Sequence, residues 1–487
     1  MRFSNYWRNR SRYERFILCL FLLTLPLLNP WVRGDGVGYY AYGRALLIEG
    51  RLDFQEDWLE ANSTFRMGRV DPQNRILTDQ YTRTGHLDNH FTVGPAILWF
   101  PFLAAAHGGV KIGDALGAHV PADGFSWPYL TAMAMGTAIY GFLGLWLSFQ
   151  IARKFAAERW AFLATLGIWF ASSLAVYLYF NPSWSHAHSA FAVALFVWYW
   201  ERTRSGRTFL EWAVLGLIAG LMIDVYYPNA LLLILPLAEA LRAYRNSFQG
   251  TGLEKSGWHR LLGAHALFVV VAFLALLPTL LSRWIIYGSV LAFGYVKVSD
   301  WNWDSPVLGA VLFSSDHGLF SWTPILALAF IGLVLFCRRE PWLGSALLLV
   351  LAAFYYFIAS YPDWDGISSF GNRFFISLTA LFVLGLAALF DWLERVWEER
   401  GAAIVACGAT ALLILWNLGL IFQWGTHLIP ARGPISWREA AYNQVAVVPV
   451  QATRTLKGYL TGRHQMMRNI EQEDLKQLKS AEPEGNQ

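Results

Sequence analysis

Charge is what this sequence has least of. Only 15% of its 487 residues are Asp, Glu, Lys or Arg, where a soluble chain carries about a quarter. Cysteine is nearly absent. Cys19, Cys337 and Cys407 each lie in or beside an apolar run, without metal-ligand spacing, which excludes a disulfide framework or a zinc ribbon. The net charge of +4 is small and dispersed, so nucleic acid is excluded as a partner. No Gly-Lys-Ser/Thr phosphate loop occurs. No Asp-x-Asp pair stands in a large polar domain, as a nucleotide-sugar enzyme would need. The basic start and first apolar run are followed by Asn29-Pro30-Trp31, with no small-x-small cleavage site, which excludes a cleaved signal peptide and predicts an uncleaved first helix. No internal repeat is evident.

What is abundant is apolar and aromatic. Hydrophobic residues make up 55% of the chain, with 34 Phe, 24 Trp and 41 Gly. Runs approaching the roughly 20 residues of a spanning helix occur at 16–31, 129–151, 160–180, 186–200, 209–223, 226–241, 261–286, 319–336, 342–361, 374–390 and 402–424. Arg and Lys gather in the connections at 153–159, 202–207, 242–260 and 338–339. They are missing from those at 181–185, 224–226 and 362–372. Because basic residues favour cytoplasmic loops, this alternation predicts the N-terminus in the cytoplasm. It works if a further apolar run at 91–106, with Pro95 and Pro101, lies along the outer interface. The predicted fold class is therefore all-α, a polytopic transmembrane bundle of about eleven spans. Residues 1–424 form the bundle, with a long first outer loop at 32–128 bearing juxtamembrane helices. Residues 425–487 form an outer tail whose last stretch, 471–487, is polar and expected to be disordered.

The first outer loop opens Arg33-Gly34-Asp35-Gly36-Val37-Gly38-Tyr39-Tyr40. Asp35 stands at the membrane surface, and the glycines permit a tight turn or close approach by a ligand. A carboxylate there can act as a base or cap a helix over 37–49; a capping position also fixes it.

An Asp at the outer end of the first helix, a tyrosine pair and a helix ending in Gly50-Arg51-Leu52-Asp53-Phe54 resemble the GT-C superfamily of membrane glycosyltransferases. The segment 89–102 is similar to the Pro-containing first-loop segment of protein mannosyltransferases and lipid A aminoarabinose transferases, where it forms a juxtamembrane helix. Segments 316–325 and 369–374 resemble later outer segments of bacterial members. The resemblance covers most of the chain and implies an inverting glycosyltransferase. Its donor would be a sugar on polyprenyl phosphate, its acceptor an extracytoplasmic lipid, glycan or protein, and its home the bacterial cytoplasmic membrane. It implies Asp35 as general base, a role contributing roughly 10²–10⁴-fold. Two features depart from the family. Asp35 is followed by Gly36, not by a second acidic residue. The loop 181–188 carries His186 and His188 but no carboxylate, which argues against an oligosaccharyltransferase-like metal site; no cofactor is called for, and any metal requirement is left open.

The leaving phosphate calls for cations. Arg373 opens a span on the outer side, Arg283 lies near the outer end of another, and Lys297 follows in the loop beyond. Arginine suits bidentate phosphate recognition; the competing role is reaching to lipid headgroups. Substrate contacts are expected among Tyr39, Tyr40, Asn89, His90, His186, His188 and His317, against the plainer reading of helix packing and loop capping. Asp88, Asp224, Tyr227, Asp316, Asp363 and Asp365 share the same side. Trp301, Trp303 and Trp364 can stack on sugars or belong to the interfacial belt. The rival function is a transporter or flippase of a lipid-linked saccharide. Transporters more often show repeats and polar residues near the midplane. A non-catalytic assembly subunit of the same fold is the third reading.

Overall fold

The computed structural model describes residues 11–248, 255–292 and 296–481. Arg2, Arg8 and Arg10 of the basic start lie outside them, as do residues 482–487. Among the described residues there are helices and two isolated β-bridges in the first loop, Val70 with Ile76 and Tyr81 with Leu87.

Each apolar run found in the sequence is helical, in one piece or two. α1 (Arg12–Thr24) starts at a capping box in which Ser11 and Glu14 satisfy each other's free amides. Glu14 is buried, and it is offset by Gln150 and Arg153. The first loop carries α2 (Asp35–Arg44), α3 (Gln55–Glu60) and α4 (Gly94–Ala115). The bundle continues with α5 (Trp127–Phe155), α6 (Glu158–Phe170), α7 (His186–Thr203), α8 (Phe209–Val225), α9 (Ile234–Phe248) and α10 (Lys255–Tyr287). α11 (Ile325–Arg339), α12 (Pro341–Ser360), α13 (Thr379–Val396) and α14 (Glu399–Gly425) follow. α15 (Trp437–Ala446), α16 (Val448–Thr461) and α17 (Arg463–Ala481) make the tail.

Among the described residues, six helices are long and apolar enough to cross a membrane: Gly94–Ala115, Trp127–Phe155, Trp258–Tyr287, Pro341–Ser360, Arg373–Val396 and Glu399–Gly425. The other expected spans are shorter or interrupted. α1 gives way to a 3-10 turn at Leu25–Leu27, and the run after α6 ends in a π turn at Val176–Phe180. The 91–106 run, expected along the interface, becomes the 22-residue α4, which packs on α2, α5 and α8. Exposed apolar side chains lie along α10 (Val269, Val270, Phe273, Leu281) and α14 (Ile404, Leu412, Leu415). Such faces suit lipid rather than water.

Inside the bundle small residues set the spacing, as they do where helices pack without a strong hydrophobic drive. A Cβ on Gly332 of α11 would collide with the carbonyl oxygen of Gly385 on α13, and one on Gly385 with that of Ala329. Backbone cannot rotate out of the way. Gly332→Val is therefore expected to cost about 1–3 kcal/mol or more through overpacking. Gly408→Val, which meets nothing within 4 Å, should be near neutral. Thermal unfolding of the two variants in nanodiscs measures the difference.

The tail differs from expectation. Residues up to 481 are not disordered, because α17 docks on the first loop. Glu471 accepts from Asn62 Nδ2 at 2.8 Å and the Thr64 amide at 2.6 Å, and Asp474 pairs with Arg33 at 2.5 Å. Polar side chains read as solvated are in fact partners for a segment 400 residues earlier.

Candidate functional site

Asp35 is the first residue of α2, not its cap; the preceding Gly34 has φ +53° and no side chain caps the helix. A carboxylate in the first turn is favoured by the helix dipole. α2 then sinks into the protein on its glycines: a Cβ on Gly36 would strike Ser183, and one on Gly38 the ring of Phe91. The glycines thus serve helix packing rather than ligand approach. Farther along, the fully buried Arg44 grips Asp57 through two bonds of 2.8 and 2.7 Å, pairs with Glu49 and Glu56, and covers Phe125. This fixes the helix that presents Asp35.

Arg373 arrives from the other side. Gly371 (φ +56°) turns the chain, and Asn372 holds it by a 3.0 Å bond to the Trp364 carbonyl. Arg373 Nη2 then lies 2.9 Å from Asp35 Oδ2, with the guanidinium 4.2 Å above the Trp184 ring. The Arg373 side chain is 11% exposed and that of Asp35 34%, so the carboxylate is the more open of the two. Trp184 is fixed by its indole bond to the Arg33 carbonyl, 3.0 Å.

The pair faces a cavity of about 1960 Å³, well above the roughly 300–1,000 Å³ of a small-molecule pocket. Its polar end holds Asp35, Arg373, Tyr39, His90 and Arg69. One flank is apolar, from Leu276, Leu280, Val298, Trp301, Trp303 and Phe357. The other is formed by α14, α16 and α17, including Leu418, Phe422, Met466, Met467 and Ile470. Trp301 and Trp303 stack at 5.1 Å. Burial, reinforced by Asp35, pushes the Tyr39 hydroxyl above its usual range, and Ser185 donates to it at 3.0 Å. Burial pulls His90 down to about 4 and lowers Arg69, so the imidazole is neutral at pH 7.

Of the residues singled out from sequence, Asp35, Tyr39, Asp88, His90, Tyr227, Trp301, Trp303, Asp363 and Arg373 line this cavity. Tyr40 turns away to donate to Gly124 O at 2.6 Å. Asn89 bonds Gly38 O at 2.9 Å, while its own carbonyl accepts from Tyr42 and Arg283. Arg283 is fully buried, and donates to the carbonyls of Asn89, His90 and Phe91 and to Tyr227; it braces the turn that carries His90. Lys297 is exposed beside the lining residues Val296 and Val298. His186 packs among Tyr177, Trp184, Tyr226 and Phe374, and His188 between Trp99 and Tyr140. His317, buried and at φ +56°, is drawn by burial to about 4 and sits 3.1 Å from the Asp365 carbonyl.

Sequence reasoning missed Arg69, Trp184 and the tail. Arg69 bonds the Phe65 carbonyl at 2.7 Å and covers that ring. Asp474 of α17 joins Arg33 and His427, the latter at 2.8 Å, across the cavity wall. The available signal was the helical spacing of Met466, Met467, Ile470 and Leu478. Burial would raise Asp474, but its bond with His427 and the charge of Arg33 outweigh it and hold the carboxyl low. That contribution is present above the ordinary carboxylate range and lost as pH falls through the lowered value. Bonds to charged groups are worth about 1.5–3 kcal/mol each. Asp474→Ala should therefore free the tail, raising its cleavage rate in limited proteolysis by about tenfold or more.

No family model matches the chain, and no curated protein matches it. Among solved structures it is similar to ArnT from Cupriavidus metallidurans bound to undecaprenyl phosphate, at 12% identity, over 85% of this chain and 71% of that one, with a TM-score of 0.44. The apo state of the same protein is similar at 11% identity, over 85% and 70% of the two chains, with a TM-score of 0.44.

Proposed function

We propose that this chain is a membrane glycosyltransferase that moves a sugar from a polyprenyl phosphate carrier to an acceptor outside the cytoplasm. One observation carries the reading: a carboxylate–guanidinium pair, Asp35 with Arg373 at 2.9 Å, at the polar end of a large cavity with apolar flanks. An amphiphile with an anionic head fits such a space. Its prenyl tail lies along apolar wall and its phosphate meets Arg373.

The reaction is one displacement. The acceptor hydroxyl oxygen attacks the anomeric carbon from the face opposite the phosphate. The bond from that carbon to the phosphate oxygen breaks, its electron pair leaves with polyprenyl phosphate, and the configuration inverts. The hydroxyl proton passes to Asp35, a general base within reach of the same space. Arg373 neutralises charge as it gathers on the phosphate. Phosphate is already a good leaving group, so no strong general acid is needed. Arg69 also lines the cavity and carries charge toward the same phosphate, and Lys297 is exposed beside the lining residues Val296 and Val298. Arg283 is left out, because its donors are spent on backbone carbonyls.

The test is transfer by the purified chain in nanodiscs, supplied with labelled polyprenyl phosphate sugars and envelope lipid and glycan extracts. Donor-dependent transfer to an acceptor is expected. Movement of the labelled lipid between leaflets without transfer would replace this reading by the transporter.

A further inference from the structure

The loop that delivers Arg373 runs from the end of α12, and its far side lies against the turn before α11. Asp316, His317 and Asp365 meet there, each offering one ligand atom, all within 4.8 Å of one another. His317 is the centre of the group. Its side chain is 0% exposed, and Nδ1 lies 3.5 Å from Asp316 Oδ1 and 3.1 Å from the Asp365 carbonyl oxygen. Its Nε2 has no hydrogen-bond partner, and neither does Asp316 Oδ1, although both are shielded from solvent. Neither carboxylate forms an ion pair with Lys or Arg among the described residues. Arg373, within electrostatic reach of Asp365, is committed to Asp35. Arg432 is the other cation facing Asp365, from the 426–436 connection.

We propose that Asp316, His317 and Asp365 form a binding site for one divalent first-row metal ion, of the Zn²⁺ or Mn²⁺ class, that clamps the Arg373 loop to the 314–318 turn. Metal bonds to imidazole nitrogen and carboxylate oxygen of about 2.0–2.2 Å put neighbouring ligands of a tetrahedral site about 3.3–3.6 Å apart. The 3.5 Å between His317 Nδ1 and Asp316 Oδ1 meets that spacing. The Asp365 carboxylate closes the set by a small side-chain rotation. One imidazole with two carboxylates favours these ions over Ca²⁺ or Mg²⁺, which take all-oxygen shells. An ion at Nδ1 replaces its hydrogen bond to the Asp365 carbonyl and gives the shielded Asp316 Oδ1 the partner it lacks, an oxygen whose desolvation otherwise costs free energy.

This site stands whether or not the chain transfers sugar, so its test uses no activity. The full chain in nanodiscs is stripped with EDTA and titrated with Mn²⁺, read by electron paramagnetic resonance, and with Zn²⁺, read by elemental analysis after dialysis. One ion per chain is expected. Asp365→Asn and His317→Gln should each weaken binding at least tenfold. The wild-type melting temperature should climb with metal concentration, and that of the two site variants should not. The melting temperature of each metal-free variant shows whether it folds. Absence of saturable binding by the wild type, or equal binding by Asp365→Asn and His317→Gln, would overturn the proposal.

Discussion

Replacing Arg44 by Met is expected to destabilise the chain by about 3–5 kcal/mol, the cost of leaving a buried charge without its partner. Arg44 is fully buried, and Asp57, to which it is bonded twice, is 3% exposed. The methionine fills much of the space and supplies no charge. Burial pushes Asp57 up to about 7 even with Arg44 in place. A carboxyl whose folded value is raised binds more protons folded than unfolded between about pH 4 and pH 7, so stability falls as pH rises through that window. Without Arg44 the folded value climbs further and the fall continues to higher pH. Unfolding measured from pH 5 to 9 should show a penalty that grows with pH. A second change, Asp57→Leu, should recover most of it. A flat profile would mean that Asp57 is hydrated in the variant.

Asp35→Asn should lower the transfer rate by about 10²–10⁴-fold, the usual contribution of a positioned base. KM for the donor should change little, because the phosphate is held by Arg373. Asparagine keeps the shape and loses the proton acceptor. The variant also frees Arg373 from its carboxylate, so a melting curve close to wild type is the needed control. Loss of donor binding with an unchanged rate at saturation would assign Asp35 a binding role and remove it as base.

The bundle was legible because lipid demands long apolar runs, and those runs are countable. Their ends were less so. Turns such as Leu25–Leu27 and Val176–Phe180 depend on tertiary contacts that no local pattern records. Asp35 and Arg373 were found singly, one from its place after the first helix, the other from its place before a late one. That they meet at 2.9 Å is a fact of the fold. Arg283 shows the opposite case. An arginine near the outer end of a helix reads as a phosphate ligand until the carbonyls of residues 89–91 come to it from 190 residues away. The tail was missed because Glu471 and Asp474 look like solvated charges until Asn62, Thr64 and Arg33 are placed beside them.

The proposed transfer depends on one lipid phosphate held at Arg373. The most direct measurement is the affinity of the purified chain in nanodiscs for polyprenyl phosphate, by native mass spectrometry, for wild type and Arg373→Leu. Loss of a charge-assisted contact worth about 1.5–3 kcal/mol predicts binding by wild type and roughly 10–150-fold weaker binding by the variant. Equal binding by the two proteins, with Arg373→Leu folded, would contradict it.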